Sequence, residues 1–126
     1  YRLIVGTDSQ EAADETIFVT AVIIHREGKG ARYYYQRRRQ PWVVSLRQRI
    51  FWEASLSLSL AGMLAERLAG NGVASLDVEI HLDVGTRGET RELIRELVGM
   101  IAGTGFDAKI KPESYGASKV ADKHTK

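Results

Sequence analysis

Apolar positions along this chain follow two different periods. Leu3, Ile4 and Val5 form a short apolar run that predicts a buried strand over 2–7. From Thr16 to His25 the residues are nearly all β-branched or aromatic (Ile17, Phe18, Val19, Val22, Ile23, Ile24), which predicts a strand apolar on both faces and central in a sheet. Gly28-Lys29-Gly30 predicts a hairpin turn, and Arg32 to Arg38 reads as the returning strand. After the break at Pro41 the period changes. Leu46, Ile50, Ser57, Leu60, Leu64 and Leu68 fall within about 40° of one line at ~100° per residue, so a helix capped by Ser45 is expected to run to about Leu68. Gly70-Asn71-Gly72 ends it.

A fourth strand is expected over about 76–82. The capping-box pattern Thr86-Arg87-Gly88-Glu89 then opens a helix to about Ala102. Phe106 to Lys111 predicts a fifth strand, Pro112 breaks it, and a short helix is expected after Ser114. The order is βββαβαβα, an α/β arrangement with a five-stranded mixed sheet and helices packed on it. It is expected to form a single domain over 1–126. A strand reached through a helical crossover pairs parallel with an existing strand. With strand one as that neighbour, Asp8 and Asp83 leave adjacent parallel strands side by side, at the carboxyl edge where open α/β sheets place ligands.

Two further acids belong to this picture. Glu53 falls about 20° from the apolar line of the long helix, where a carboxylate is costly unless it is paired or coordinated. Asp122 follows Val120-Ala121 in the last expected helix. Taken alone, Asp8 and Asp83 read as turn aspartates, Glu53 as a marginal residue bridged to Arg49, and Asp122 as a surface charge. Together, Asp8, Glu53, Asp83 and Asp122 form a carboxylate cluster whose repulsion a divalent cation would relieve, and all-oxygen ligation suits Mg²⁺ or Mn²⁺. His124, two residues past Asp122, is a candidate proton shuttle or phosphate contact; His25 and His81, in expected strands, read as structural. Other acids, including Glu79, read as solvated positions.

Composition narrows the function classes. The chain has 126 residues, 44% hydrophobic and 27% charged, and no apolar run approaching the ~18 residues of a membrane span. No cysteine is present, so neither a disulfide framework nor a thiolate metal site is available. A cytoplasmic location is the expectation. The chain starts at Tyr1 and stops within a charged segment, which predicts trimming at both ends. Net charge is only +2, but six arginines and no acid lie between Arg32 and Arg49, interleaved with Tyr33, Tyr34, Tyr35 and Trp42. Arg37, Arg38 and Arg39 are therefore candidate phosphate contacts, with Ser9 and Gln10 as candidate substrate contacts beside Asp8. At least one of the three tyrosines is expected in the core.

The element order, with acids after strand one, in the first long helix, after strand four and in the last helix, resembles the ribonuclease H fold. Val5-Gly6-Thr7-Asp8-Ser9-Gln10, Glu79-Ile80-His81-Leu82-Asp83-Val84-Gly85, Ile110-Lys111-Pro112-Glu113-Ser114-Tyr115 and Val120-Ala121-Asp122-Lys123 are more specifically similar to the YkuK-like group, an uncharacterised bacterial family of the ribonuclease-H-like superfamily. The resemblance implies a nuclease using two ions, Mg²⁺ or Mn²⁺. Asp8 would bridge both, Glu53 and Asp83 would complete one site and Asp122 the other, with His124 assisting product release. It implies a nucleic-acid partner: RNA, RNA·DNA hybrid or DNA. Ser9 stands where ribonuclease H proper has a glycine, which leaves the substrate open. Two other readings share the fold, a non-catalytic nucleic-acid-binding or assembly module and a nucleotide-binding actin-like relative.

Overall fold

A computed structural model describes residues 1–26, 28–42, 45–72, 76–82 and 91–110. Its strands are β1 (Arg2–Ala12), β2 (Glu15–Arg26), β3 (Gly30–Gln40), β4 (Asp77–His81) and β5 (Asp107–Lys109), with α1 (Leu46–Gly70) between β3 and β4 and α2 (Arg91–Ala102) between β4 and β5. They form one mixed sheet in the order β3-β2-β1-β4-β5. β1 and β2 pair antiparallel, as do β2 and β3, whereas β4 runs parallel to β1 and β5 parallel to β4. The meander and the crossover beside strand one are as the apolar pattern predicted. The short helix expected after Ser114 lies outside the described residues.

One boundary differs in a way that matters. β1 does not stop at residue 7; it continues through Ala12, so Asp8 is a strand residue paired with Val19. Ser9 to Ala12 carry no apolar signal of their own. They are held because β2 offers a continuous partner up to the tight turn at Ala13-Asp14, where Ala13 takes φ 55°, a left-handed conformation unusual for a residue with a Cβ.

The pleat gives the sheet two faces. Leu3, Val5, Thr7 and Ser9 of β1 share one with Val78 and Ile80 of β4, and both helices pack there. Leu93, Ile94, Leu97 and Ile101 of α2 join the same core cluster. α1 meets the sheet along Ile50, Ala54, Ser57 and Ala61. Three of these four are small, so the helix approaches closely and its leucines flank the contact rather than forming its centre. Leu46, counted in the expected stripe, is 59% exposed. Ser45 caps α1 by accepting a hydrogen bond from the Gln48 backbone N–H at 3.3 Å. Phe18 and Trp52 meet with ring centroids 5.7 Å apart across the β2–α1 contact. The opposite face holds a smaller cluster of Ile17, Val19 and Ala21.

β3 is an edge strand, exposed along its length except at Gln40. Tyr33, Tyr34 and Tyr35 are 55%, 54% and 52% exposed, so none is the core residue expected from their alternation. Alternation buries a side chain only where something covers its face, and α1 packs over β1 and the centre of the sheet rather than over this edge.

Candidate functional site at the end of the first strand

β4 pairs with β1 only as far as Gly6↔His81. From Thr7 onward, no described strand occupies the β4 side of β1. Asp8 lies two residues past that last pair, and Asp83 lies two residues past His81 in the sequence. This is the carboxyl end of two adjacent parallel strands, the position where open α/β sheets gather ligand-binding groups.

Glu53 reaches this edge from the helical face. Its carboxylate accepts a hydrogen bond from the Ser9 hydroxyl. Arg49, one turn earlier on α1, donates through Nε to the Ser9 hydroxyl at 3.0 Å and through a terminal nitrogen to the Ser9 carbonyl at 2.9 Å. Its other terminal nitrogen lies 3.6 Å from the Glu11 carboxylate. Arg49 thus clamps the end of β1 onto α1, and Ser9 is a buried link that orients Glu53; its hydroxyl is already engaged and does not face solvent as a substrate contact would. One turn further, Thr7 binds the hydroxyls of Thr20 and Ser57 at 2.9 and 2.7 Å, fixing the strand just before Asp8.

Asp8 itself is half-buried and occupies the other pleat. With Thr7 and Ser9 turned toward α1, Asp8 shares the opposite face with its neighbours in register, Val19 and then Arg37. Asp8 and Glu53 therefore lie on the two faces of the β1 segment that follows its last described pair with β4. Gln10 follows on the Asp8 face, exposed and in register with Arg39 through Ile17. Arg37, Arg38 and Arg39 are all exposed; Arg39 lies 3.9 Å from Glu15. Asp83, Asp122 and His124 lie outside the described residues, and among the described residues no three metal-ligating side chains come together.

A polar chain that the sequence did not reveal borders the site. Glu79, expected to point to solvent, is buried, because β4 is an interior strand covered on both faces. Arg2 binds its carboxylate, and His81 Nε2 lies 3.3 Å from its other oxygen. Burial raises the Glu79 pKa, but hydrogen bonds from Arg2 and His81 outweigh it and hold the carboxyl below its ordinary range. Burial pushes His81 down, with the Glu79 hydrogen bond opposing. The expectation of a structural His81 holds for Nε2, while Nδ1 is buried with no hydrogen-bond partner among the described residues. His25, expected to be structural as well, is exposed. Arg49 at i−4 from Glu53 was the one sequence signal for the clamp; the pairing of Arg2 with Glu79, 77 residues apart, had none.

Comparison with known proteins agrees with this architecture. A family model described as Ribonuclease H-like matches residues 1–126. The protein of Bacillus subtilis (strain 168) called "Uncharacterized protein YkuK" is 38% identical over 138 aligned residues, covering 100% of this chain and 80% of the relative. No solved structure matches the chain. The five-stranded mixed sheet, the match along the whole sequence and this identity together place the chain in the ribonuclease H-like family, within its YkuK-like group.

Proposed function

We propose that the chain is a divalent-metal-dependent nuclease that hydrolyses nucleic-acid phosphodiester bonds at the β1 edge. The observation that carries this reading is the placement of Asp8 and Glu53 on the two faces of the β1 segment just past the last β1–β4 pair, in a chain of the ribonuclease H-like family. The donor chemistry fits a hard cation: carboxylate oxygens suit Mg²⁺ or Mn²⁺, and the chain has no thiolate to select a softer metal. Asp8, Glu53, Asp83 and Asp122 are the proposed ligands of two ions, and His124 a proposed catalytic group. When bound, such ions supply Lewis acidity for phosphodiester hydrolysis.

The remaining roles belong to the protein. Arg49 and Ser9 hold the Glu53 carboxylate against β1, so less reorganisation is needed when a ligand arrives. Arg37, Arg38 and Arg39 neutralise backbone phosphates, and Gln10 contacts the substrate near Asp8. The test is cleavage of a labelled panel (RNA·DNA hybrid, single- and double-stranded RNA and DNA, a branched junction) in Mn²⁺ or EDTA. Wild type is expected to cut at least one substrate, with activity abolished by EDTA and by Asp8→Asn. Failure of folded wild type to cut any substrate would sink the proposal in favour of a non-catalytic binding module.

A further inference from the structure

β3 carries four arginines, three tyrosines and no acid, and this composition lies on an exposed edge strand. The pleat sorts it. Tyr34 is in register with Val22 and through it with Val5, so it belongs to the helical face, over an apolar cavity of about 370 Å³ that Leu60, Leu64 and Tyr35 also border. Tyr33, Tyr35, Arg37 and Arg39 alternate with it and share the face of Asp8. Same-face neighbours on a strand stand about 7 Å apart, roughly twice the 3.4 Å step between stacked bases. Arg37 is in register with Asp8 through Val19, two strand spacings or about 10 Å away.

We infer that this face of β3 is a track for single-stranded nucleic acid, with Tyr33 and Tyr35 stacking unpaired bases and Arg37 and Arg39 holding phosphates as the strand leads toward Asp8. This rests on the nucleic-acid reading above and adds the substrate class. Bases in a duplex are stacked on each other and hide their faces, so rings rising from a sheet engage unpaired bases instead. A second copy of the chain fits this edge poorly. Antiparallel pairing centred on Tyr35 sets Arg32 opposite Arg38, and parallel in-register pairing sets every arginine against its own copy; both place like charges directly across the ladder.

The experiment is fluorescence anisotropy with labelled oligo(dT) and oligo(U) 15-mers in EDTA, where cleavage cannot occur, with a duplex of the same length for comparison. Wild type is expected to bind the single strands more tightly than the duplex, and the two oligonucleotides separate DNA from RNA. Y33A/Y35A is expected to weaken binding roughly ten- to hundredfold, while Y34A on the other face changes it less than about twofold. R37A/R39A is expected to reduce the salt slope by about one to one and a half. Equal affinity of Y33A/Y35A and wild type, preference for the duplex, or no binding at low salt would overturn the track. So would a wild-type dimer that becomes monomeric in Y33A/Y35A without oligonucleotide binding. Tyrosine-dependent binding in EDTA by a wild type that never cuts in Mn²⁺ upholds the track and refutes the nuclease; wild-type cleavage rates in Y33A/Y35A refute the track alone.

Discussion

Thr7→Val tests whether the hydroxyl cluster beneath Asp8 holds the site together. Thr7, Thr20 and Ser57 are 2%, 5% and 1% exposed, and Thr7 joins the other two at 2.9 and 2.7 Å. Valine keeps the shape but removes the shared partner, leaving two buried hydroxyls to find replacements. A net hydrogen bond contributes about 1 kcal/mol and a buried hydroxyl left unsatisfied costs about 1–3 kcal/mol, so a loss on the order of 2–4 kcal/mol is expected. At roughly 3–5 °C per kcal/mol for a chain of this size, Tm falls by about 10 °C. The triple replacement Thr7→Val, Thr20→Val, Ser57→Ala removes all three hydroxyls and is expected to recover most of that loss, since no unsatisfied group remains. Urea unfolding followed by the fluorescence of Trp42 and Trp52 measures both variants. A single variant within about 0.5 kcal/mol of wild type, or a triple variant less stable than the single, would refute the reasoning.

Ala13→Gly is expected to raise stability by about 0.5–1 kcal/mol in thermal unfolding, because Ala13 sits at φ 55°, where the Cβ is disfavoured. Stability should hold above pH 6.5 and decline below it. His81 binds protons more readily unfolded than folded, so its contribution is lost as pH falls from 6.5 toward its lower folded value; Glu79, also depressed, adds a second loss as pH falls below about 4.5 through its folded pKa. Urea midpoints against pH in metal-free buffer check this, and His81→Gln should flatten the upper part of the decline. Mn²⁺ at about a hundred times its Kd is expected to stabilise wild type by about 2.7 kcal/mol and to shift Tm far less in Glu53→Gln or Asp8→Asn. Equal shifts in all three would remove both residues from the proposed ligand set.

Much of the architecture was legible because it depends on local pattern. The two-face apolarity of Thr16–His25, the Ser45 cap and the crossover to strand four each bear on one element or one connection, and the sheet order follows from them. Glu53 was also legible as a carboxylate displaced from an apolar line, and it lies at the β1 edge with the Ser9 hydroxyl bound to it. The polar residues Ser9 to Ala12 were not legible as strand, since their conformation is supplied by a partner strand and not by their own propensity.

Sequence alone determined which of the described elements form and which strands lie side by side, because backbone period and connection length constrain these directly. Tertiary structure decided what each polar side chain meets. Only packing shows that Glu79 is buried against Arg2 and His81, that Arg49 clamps Ser9, and that three consecutive tyrosines stay exposed on an edge that α1 does not cover. Burial and pairing depend on groups far apart in the chain, and no local pattern of apolar and polar residues records them.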